Sequence, residues 1–174
     1  MTAGSVIMGQ MMNRPLSIPA VMDYAADVYG ARRIISATVE GGLHDYSYAE
    51  AWVRIARLAH GLRALGIGPG DRVATLAWNG YRHFELYYAI AGIGAVCHTI
   101  NPRLFPEQIA WIMNHAEDKA IFFDLTFAPL VRALSDKMPK GIRQVFLSDE
   151  AHRPEGTGQD CLAYESLLEG GSDT

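Results

Sequence analysis

Residues 47–78, SYAEAWVRIARLAHGLRALGIGPGDRVATLAW, predict a complete helix followed directly by a strand. Ser47 and Glu50 form a capping box, in which each side chain satisfies a backbone N–H at the start of the helix. The helix is expected over Tyr48–Leu65. Gly66 then fits the left-handed position just after the helix, and Ile67 is expected to fold back toward Leu62. The strand is expected to follow over Arg72–Trp78.

The spacing of apolar residues gives this helix one buried and one exposed face. The expected buried face carries Tyr48, Trp52, Ile55, Ala59 and Leu62, and the expected exposed face carries Glu50, Arg54 and Arg57.

The glycines at 66, 68 and 70 have the spacing of a dinucleotide-binding turn. That turn must follow a strand and precede a helix, so that a helix N-terminus faces the pyrophosphate. Here the order is reversed, which favours a helix stop and a tight turn.

Downstream, strands and helices alternate four times with short links, which predicts a parallel sheet covered by helices. The expected elements are a helix over 81–93, a strand over 95–100, a helix over 106–116, a strand over 120–124, a helix over 127–138, a strand over 142–148, a polar loop over 151–160 and a short helix over 164–168. Pro106 suits the first turn of its helix, and because Phe105 offers no polar cap, that start is expected to depend on Pro106 and Glu107.

Upstream, residues 1–16 are expected to form a mobile arm. A helix capped by Ser17 is expected to run to Tyr29, with Ile18, Val21, Met22, Ala25, Val28 and Tyr29 on one face and Gly30 as its stop. Strands over 33–39 and 43–47 around Glu40-Gly41-Gly42 predict a hairpin. The fold class is therefore α/β: three layers, with a mostly parallel sheet flanked by helices, and a small N-terminal hairpin. Residues 17–168 form one subdomain, and 169–174 resemble a cut linker.

Composition excludes several classes of protein. The 174 residues carry 15 Lys and Arg against 19 Asp and Glu, a net charge of −4, which argues against a nucleic-acid partner. Cys97 and Cys161 are too few and too far apart for a disulfide framework or a zinc knuckle. Near the middle of the chain, the longest run without a charged residue or histidine, 86–97, is too short to span a bilayer, and residues 1–12 lack the positive start of a secretory signal. We expect a cytoplasmic protein without a transmembrane segment.

Familiar catalytic motifs are absent from these 174 residues. There is no G-x-x-x-x-G-K-[ST], no G-x-S-x-G and no H-E-x-x-H. The six histidines, at positions 44, 60, 83, 98, 115 and 152, show no pair at ligand spacing, so each is expected to be a surface or satisfied core histidine. The sequence alone assigns no catalytic residue, no cofactor-binding residue and no metal ligand.

Polar residues at the strand ends remain candidates, because ligands of open parallel sheets bind beyond the carboxyl ends of the strands. These positions are Asn79-Gly80, His98-Thr99, Asn101-Pro102-Arg103, Asp124 and Ser148-Asp149. Capping and turn formation already account for most of these residue types.

A second open question is the helix over 81–93, which is apolar nearly all round. Either this chain buries it, or a missing part docks on it.

Three segments resemble AMP-forming acyl-CoA synthetases of the adenylate-forming superfamily, most closely long-chain fatty-acid–CoA ligases. They are residues 48–79 around Leu58-Ala59-His60-Gly61-Leu62 and Gly68-Pro69-Gly70-Asp71-Arg72-Val73-Ala74, residues 94–104 (GAVCHTINPRL) and residues 109–119 (IAWIMNHAEDK). The resemblance covers about Ser17 to Leu168. It implies part of the large domain of an adenylate-forming enzyme.

By the same resemblance, the full-length enzyme joins a fatty acid to CoA with ATP and Mg²⁺, through acyl-AMP. The family's Thr/Ser/Gly-rich phosphate loop ending in Lys, its adenine-and-Mg²⁺-binding segment and its catalytic Lys do not occur here. The chain is thus expected to be an N-terminal, structural and inactive fragment that holds no cofactor itself. Its expected partners are the rest of the ligase, which binds the fatty acid, and a second copy in a homodimer.

Two other functions remain open from the residues alone. The sheet alternation also suits a self-contained nucleotide-binding module of flavodoxin or Rossmann type, although the glycine fingerprint after a strand is missing. The apolar helix over 81–93 also suits a non-catalytic interaction module.

Overall fold

A computed structural model describes residues 14–173. Most of the expected arm, residues 1–13, lies outside the described residues. The helices and strands are α1 (Ile18–Tyr29), β1 (Arg33–Ala37), β2 (Leu43–Ser47), α2 (Tyr48–Ala64), β3 (Arg72–Leu76), α3 (Tyr81–Gly92), β4 (Val96–Thr99), α4 (Pro106–Ala116), β5 (Ala120–Phe123), α5 (Ala128–Leu134), β6 (Arg143–Phe146), β7 (Leu162–Ala163) and α6 (Tyr164–Leu168).

The central sheet has five strands in the order β4-β3-β5-β6-β7, and every neighbouring pair is parallel. β1 and β2 form a separate antiparallel hairpin, in which Ile35 pairs with Asp45. The predicted α/β fold class, with a parallel sheet and a small N-terminal hairpin, is confirmed. The inner strands β3 and β5 are buried on both faces, so they read as short apolar runs rather than as an alternation.

Two hydrophobic cores lie on the two faces of the sheet, which gives the three-layer arrangement. One core packs α2, α3 and α6 against the sheet around Leu58, Leu86, Phe122 and Tyr164. The other packs α4 and α5 around Ile109, Val131, Phe123 and Phe146. Successive residues of one strand, such as Phe122 and Phe123 of β5, belong to opposite cores because the side chains of a strand alternate between its two faces.

The start and end of α2 follow the prediction closely. Ser47 Oγ accepts a hydrogen bond from the Glu50 N–H at 3.2 Å, and Glu50 Oε2 accepts one from the Ser47 N–H at 2.7 Å. At the other end, Gly66 has φ +82°, and the Ile67 N–H donates to the Leu62 carbonyl at 3.1 Å. This bonding is a Schellman motif, so the helix-stop interpretation of the glycine turn is confirmed.

One face assignment was wrong. Arg54, expected in water, points into a buried charge cluster between α2, α3 and α6. Its long side chain lets a residue beside the apolar stripe reach inward. Along α1 the apolar stripe exists, but Met22 is its buried member, while Ile18, Val21 and Val28 are exposed. Ser17 occupies the capping position of α1 without a side-chain capping bond.

The helix expected over 127–138 is divided. Pro129 has no N–H to donate, so it suits only the first turn of a helix, and the chain makes 3₁₀ turns at Leu125–Phe127 and Ser135–Lys137 on either side of α5. The short strand β7, just after the predicted polar loop, was missed. Its two residues are too few for a pattern, and parallel pairing to β6 alone defines it.

The start of α4 differs in one detail. Phe105 provides no side-chain cap, as expected, but its backbone N–H donates to Gln108 Oε1 at 3.1 Å, so Gln108 rather than Glu107 satisfies it.

The helix α3 is buried by α1 and α2 of this chain. This supports the interpretation that the chain itself covers the apolar surface of the helix, rather than a missing part. Among the described residues, none of the helices is long and apolar enough to cross a membrane.

Beyond α6, Gly171 lies tightly against α2, where an added Cβ would come within 2.6 Å of the Arg57 backbone. Asp173 accepts a hydrogen bond from Arg57 Nε. The assignment of residues 169–174 to a linker stays a prediction.

Candidate functional site

The carboxyl ends of β3, β5 and β6 meet at one edge of the sheet, which places three of the predicted strand-end segments near one another. Asn79 follows β3, Asp124 follows β5 and Ser148 follows β6. The turn of the hairpin, residues 38–42, lies over the same edge, because Ser148 Oγ donates a hydrogen bond to Glu40 Oε1. The start of α3 completes the site. We call this region the carboxyl edge.

Asp124 joins the ends of two neighbouring strands. Its Oδ2 accepts a hydrogen bond from the Trp78 N–H at 2.5 Å, and the residue is only 7% exposed. Burial raises the pKa of Asp124 to about 6, although the Trp78 N–H and the positive charge of Arg82 oppose the shift. Asp124 and Asn79 line a small cavity of about 50 Å³ against residues 37–39 of the hairpin.

The candidates in and after the end of β4 do not line this cavity. Asn101 Oδ1 accepts a hydrogen bond from the Arg103 N–H at 3.0 Å, so Asn101 forms a local turn, as expected from its residue type. His98 Nδ1 lies 2.8 Å from Oδ2 of the buried Asp118, which precedes β5 at the opposite end of that strand. Burial raises the pKa of Asp118 despite this contact.

A charge cluster behind the cavity was not predicted. Arg82, the second residue of α3, donates from Nη1 to Glu40 Oε1 at 2.6 Å and to the Leu147 carbonyl at 3.0 Å. Its Nε donates to Glu165 Oε1 at 2.7 Å. One guanidinium therefore connects the hairpin turn, the end of β6 and α6.

The cluster continues into the interior through Arg54. Its Nε donates to Glu85 Oε1 at 2.7 Å, and its Nη2 donates to Glu165 Oε2 at 2.9 Å. Glu85 is fully buried and also accepts a hydrogen bond from the Tyr164 hydroxyl at 2.5 Å. Burial raises the pKa of Glu85, whereas Glu165, with two guanidiniums beside it, has a lowered pKa even though burial opposes ionisation. Two arginines and three glutamates thus nearly neutralise one another.

Two histidines near the carboxyl edge, the buried His83 and the half-buried His44, contact neighbouring side chains. His83 Nδ1 lies 3.1 Å from the Trp78 carbonyl and Nε2 lies 3.0 Å from Thr75 Oγ1, so a neutral ring satisfies both contacts. Burial lowers the pKa of His83. His44 stacks on Tyr81 with ring centroids 3.6 Å apart. Burial lowers the pKa of His44 too, and the nearby charges of Arg54 and Arg82 add to the shift. For His83, a satisfied core histidine is the interpretation that the geometry supports. His44 is half-buried and its Nε2 has no hydrogen-bond partner among the described residues, so stacking on Tyr81 is the contact that holds its ring.

These contacts make the carboxyl edge a rigid junction. Hydrogen bonds with charged partners hold the hairpin turn, α3 and α6 to the ends of the strands. Within residues 14–173, no group of three or more His, Cys, Asp or Glu side chains is placed to hold a metal ion. Sequence reasoning found Asp124 and Ser148 through their positions but missed Glu40, Arg54 and Arg82, because charged residues spaced along three elements show no common pattern.

Comparison with known proteins places this fold. The family model for AMP-binding enzymes matches residues 22–166, which is most of the chain. The chain belongs to the AMP-binding enzyme family. It is 40% identical over 167 residues to the medium-chain-fatty-acid–CoA ligase of Ectopseudomonas oleovorans, covering 96% of this chain and 31% of that ligase. It is 46% identical over 158 residues to the long-chain-fatty-acid–CoA ligase of Thermus thermophilus, covering 91% of this chain and 28% of that ligase.

A solved structure supports the same family relationship. The N-terminal domain of FACL13 from Mycobacterium tuberculosis superposes with a TM-score of 0.66 at 26% identity, covering 91% of this chain and 37% of that one. The predicted relationship to fatty-acid–CoA ligases is confirmed. The chain spans only about a third of the length of the family members it matches.

Proposed function

We propose that this chain is the N-terminal part of an AMP-forming fatty-acid–CoA ligase. The proposal rests on how much of each protein the alignments cover. Two fatty-acid–CoA ligases align with more than 90% of this chain, but the aligned part is less than a third of each ligase. The similar FACL13 structure is itself an N-terminal domain.

In the complete ligase, the reaction proceeds in two steps. The fatty-acid carboxylate attacks the α-phosphorus of ATP, which forms acyl-AMP and releases pyrophosphate. The thiol of CoA then attacks the acyl carbon and displaces AMP. The phosphate loop and the adenine-and-Mg²⁺-binding segment of the family would hold ATP and Mg²⁺, and we place both segments and the catalytic Lys in the remainder of the ligase. Mg²⁺ would offset the charge of the phosphates.

The part formed by this chain supplies a scaffold. Arg82 and Glu40 hold the hairpin to the carboxyl edge, and Arg54 and Glu85 fix α2 against α3. Fixed elements at the ends of parallel strands position the loops that contact ligands in open α/β sheets. This chain accordingly has no catalytic role alone. A homodimer and a cytoplasmic location remain predictions.

The test compares the complete ligase with the 174-residue chain. Both are purified, and acyl-CoA is measured with ATP, Mg²⁺, CoA and either octanoate or palmitate, because the two relatives act on medium and long chains by name. We expect thioester formation by the complete ligase with at least one acid, and none by the 174-residue chain. Turnover by the chain alone, or a complete protein that releases no pyrophosphate with any fatty acid, would overturn the proposal.

A further inference from the structure

The β1–β2 hairpin has an open hydrogen-bonding edge. In an antiparallel pair, residues that exchange hydrogen bonds alternate with residues whose backbone groups point away from the partner strand. The Thr38 N–H donates to the Gly42 carbonyl and the Tyr48 N–H donates to the Arg32 carbonyl, so the even-numbered residues of this strand face β2. The backbone groups of Arg33, Ile35 and Ala37 therefore face outward. Within residues 14–173 they have no backbone partner outside the strand.

This edge lacks the features that protect natural sheet edges. Edge strands are commonly blocked by proline, by lysine or by a β-bulge. β1 reads RIISA, it has five consecutive pairs with β2 and no bulge, and its one charged side chain, Arg33, is held by Asp45 at 2.8 Å. Ile35 is 62% exposed. The hairpin is anchored on its inner face, where Ile34 and Tyr46 pack against the core, and this leaves the outer edge of β1 available for pairing.

A groove lies next to β1, between the face that carries Ile34 and Ser36 and the helix α3. Its volume is about 270 Å³, and its walls carry Ile34 and Ser36 from β1 and Phe84 and Tyr87 from α3. No residue of β2 lines it. Tyr87 is 42% exposed and stacks on His83 with ring centroids 4.7 Å apart. A strand added beside β1 would place alternate side chains over this aromatic wall.

We propose that β1 is an acceptor edge for an extended strand supplied by the remainder of the ligase chain. This inference rests on the proposed function, because that function provides the other two thirds of the polypeptide. The added strand pairs with the outward groups of Arg33, Ile35 and Ala37, and its apolar side chains cover Phe84 and Tyr87. Main-chain hydrogen bonds supply the affinity and the groove supplies the selectivity, as in other cases of strand addition. The hairpin thereby becomes part of a larger sheet.

Hydrogen exchange tests this pairing directly. The amides of Arg33, Ile35 and Ala37 are followed at residue resolution in the 174-residue chain and in the complete ligase. The amides of Ile34 and Ser36, which face β2, serve as internal controls. We expect the three outward amides to exchange at least about 100-fold more slowly in the complete ligase than in the chain, with little change in the controls. Equal exchange of the outward amides in both proteins would overturn the proposal.

Proline variants give a second measurement. Ile35→Pro removes an outward N–H and keeps the β1–β2 bonds, whereas Ser36→Pro removes one of those bonds; Ile35→Ala controls for the lost side chain. In the 174-residue chain, we expect Ile35→Pro to match Ile35→Ala in its denaturation midpoint and Ser36→Pro to fall below both. In the complete ligase, Ile35→Pro should fall below Ile35→Ala, and an equal midpoint there contradicts the proposal.

Two outcomes separate this inference from others. Protection of the outward amides that rises with the concentration of the 174-residue chain would show that a second copy occupies the edge, and would overturn the proposal. Acyl-CoA formation is measured on the same preparations. Active ligase with unprotected amides refutes the strand addition alone, whereas inactive protein with protected amides refutes the proposed function alone.

Discussion

The carboxylate of Asp124 offers a sharp test of the electrostatics at the carboxyl edge. Its pKa is raised from 3.8 to about 6, chiefly by burial. The folded state therefore holds the proton more tightly than the unfolded chain does. This contribution to stability is fully present below pH 3.8 and is lost as the pH rises through 6. The shift of about two units corresponds to roughly 3 kcal/mol, at about 1.4 kcal/mol per unit.

Asp124→Asn should remove this dependence on pH, because the amide is neutral throughout and its oxygen can still accept the hydrogen bond from the Trp78 N–H. We expect the variant to be more stable than the parent by about 1 to 3 kcal/mol at pH 7.5, the lower value allowing for a new amide group that lacks a partner. The gain should shrink toward zero near pH 4. Urea unfolding of the 174-residue chain at pH 4, 5, 6 and 7.5 measures it.

A matched control is Asp149→Asn. Asp149 is half exposed, and its pKa is lowered because its carboxylate accepts hydrogen bonds from His152. Its contribution has the opposite sign: it is present above the usual pKa of the carboxyl and is lost as the pH falls. This variant should therefore show no gain at pH 7.5. The reasoning about Asp124 fails if Asp124→Asn is destabilising at pH 7.5, or if its effect is the same at every pH.

Three further predictions concern the buried cluster, the capping box and the thiols. Glu85→Gln should lower the free energy of unfolding by about 3 kcal/mol, because Arg54 loses its fully buried ionised partner. Urea unfolding of Arg54→Met, Glu85→Gln and the double variant measures the coupling, and we expect the losses of unfolding free energy to be strongly non-additive. Ser47→Ala should cost about 1 kcal/mol by the same assay, since the Glu50 N–H loses its acceptor, and a neutral result would refute a contribution from the cap. Burial raises the pKa of the half-buried Cys97 and of the buried Cys161 to about 11. At pH 7.5 a thiol reagent should therefore modify both slowly until urea is added, and fast labelling of Cys161 in the native protein would contradict its burial.

Much of the fold follows from local rules in the sequence. The capping box at Ser47, the left-handed Gly66 and Pro106 at the start of α4 each act within a few residues, and the structure shows all three in place. The strands β3 and β5 were recognisable because strands buried on both faces are short apolar runs. The element boundaries agreed within one or two residues for most helices and strands.

The features that were missed depend on contacts between distant residues. Strand β7 exists only through its pairing with β6. Glu165 lies 111 residues after Arg54 in the chain, yet the two are 2.9 Å apart in the fold. Local periodicity placed Arg54 in water, because it cannot register a carboxylate that arrives from another element. The strand-end rule located Asp124, but the burial that shifts its pKa depends on elements that the local sequence does not show.

The central claim is that this chain is a scaffold whose nucleotide-contacting groups lie in the rest of the ligase. Titration calorimetry of ATP with Mg²⁺ into the 174-residue chain and into the complete ligase tests it most directly. We predict saturable binding by the complete ligase and only heat of dilution for the chain. Micromolar binding of ATP by the 174-residue chain would contradict the claim and revive a self-contained nucleotide-binding module.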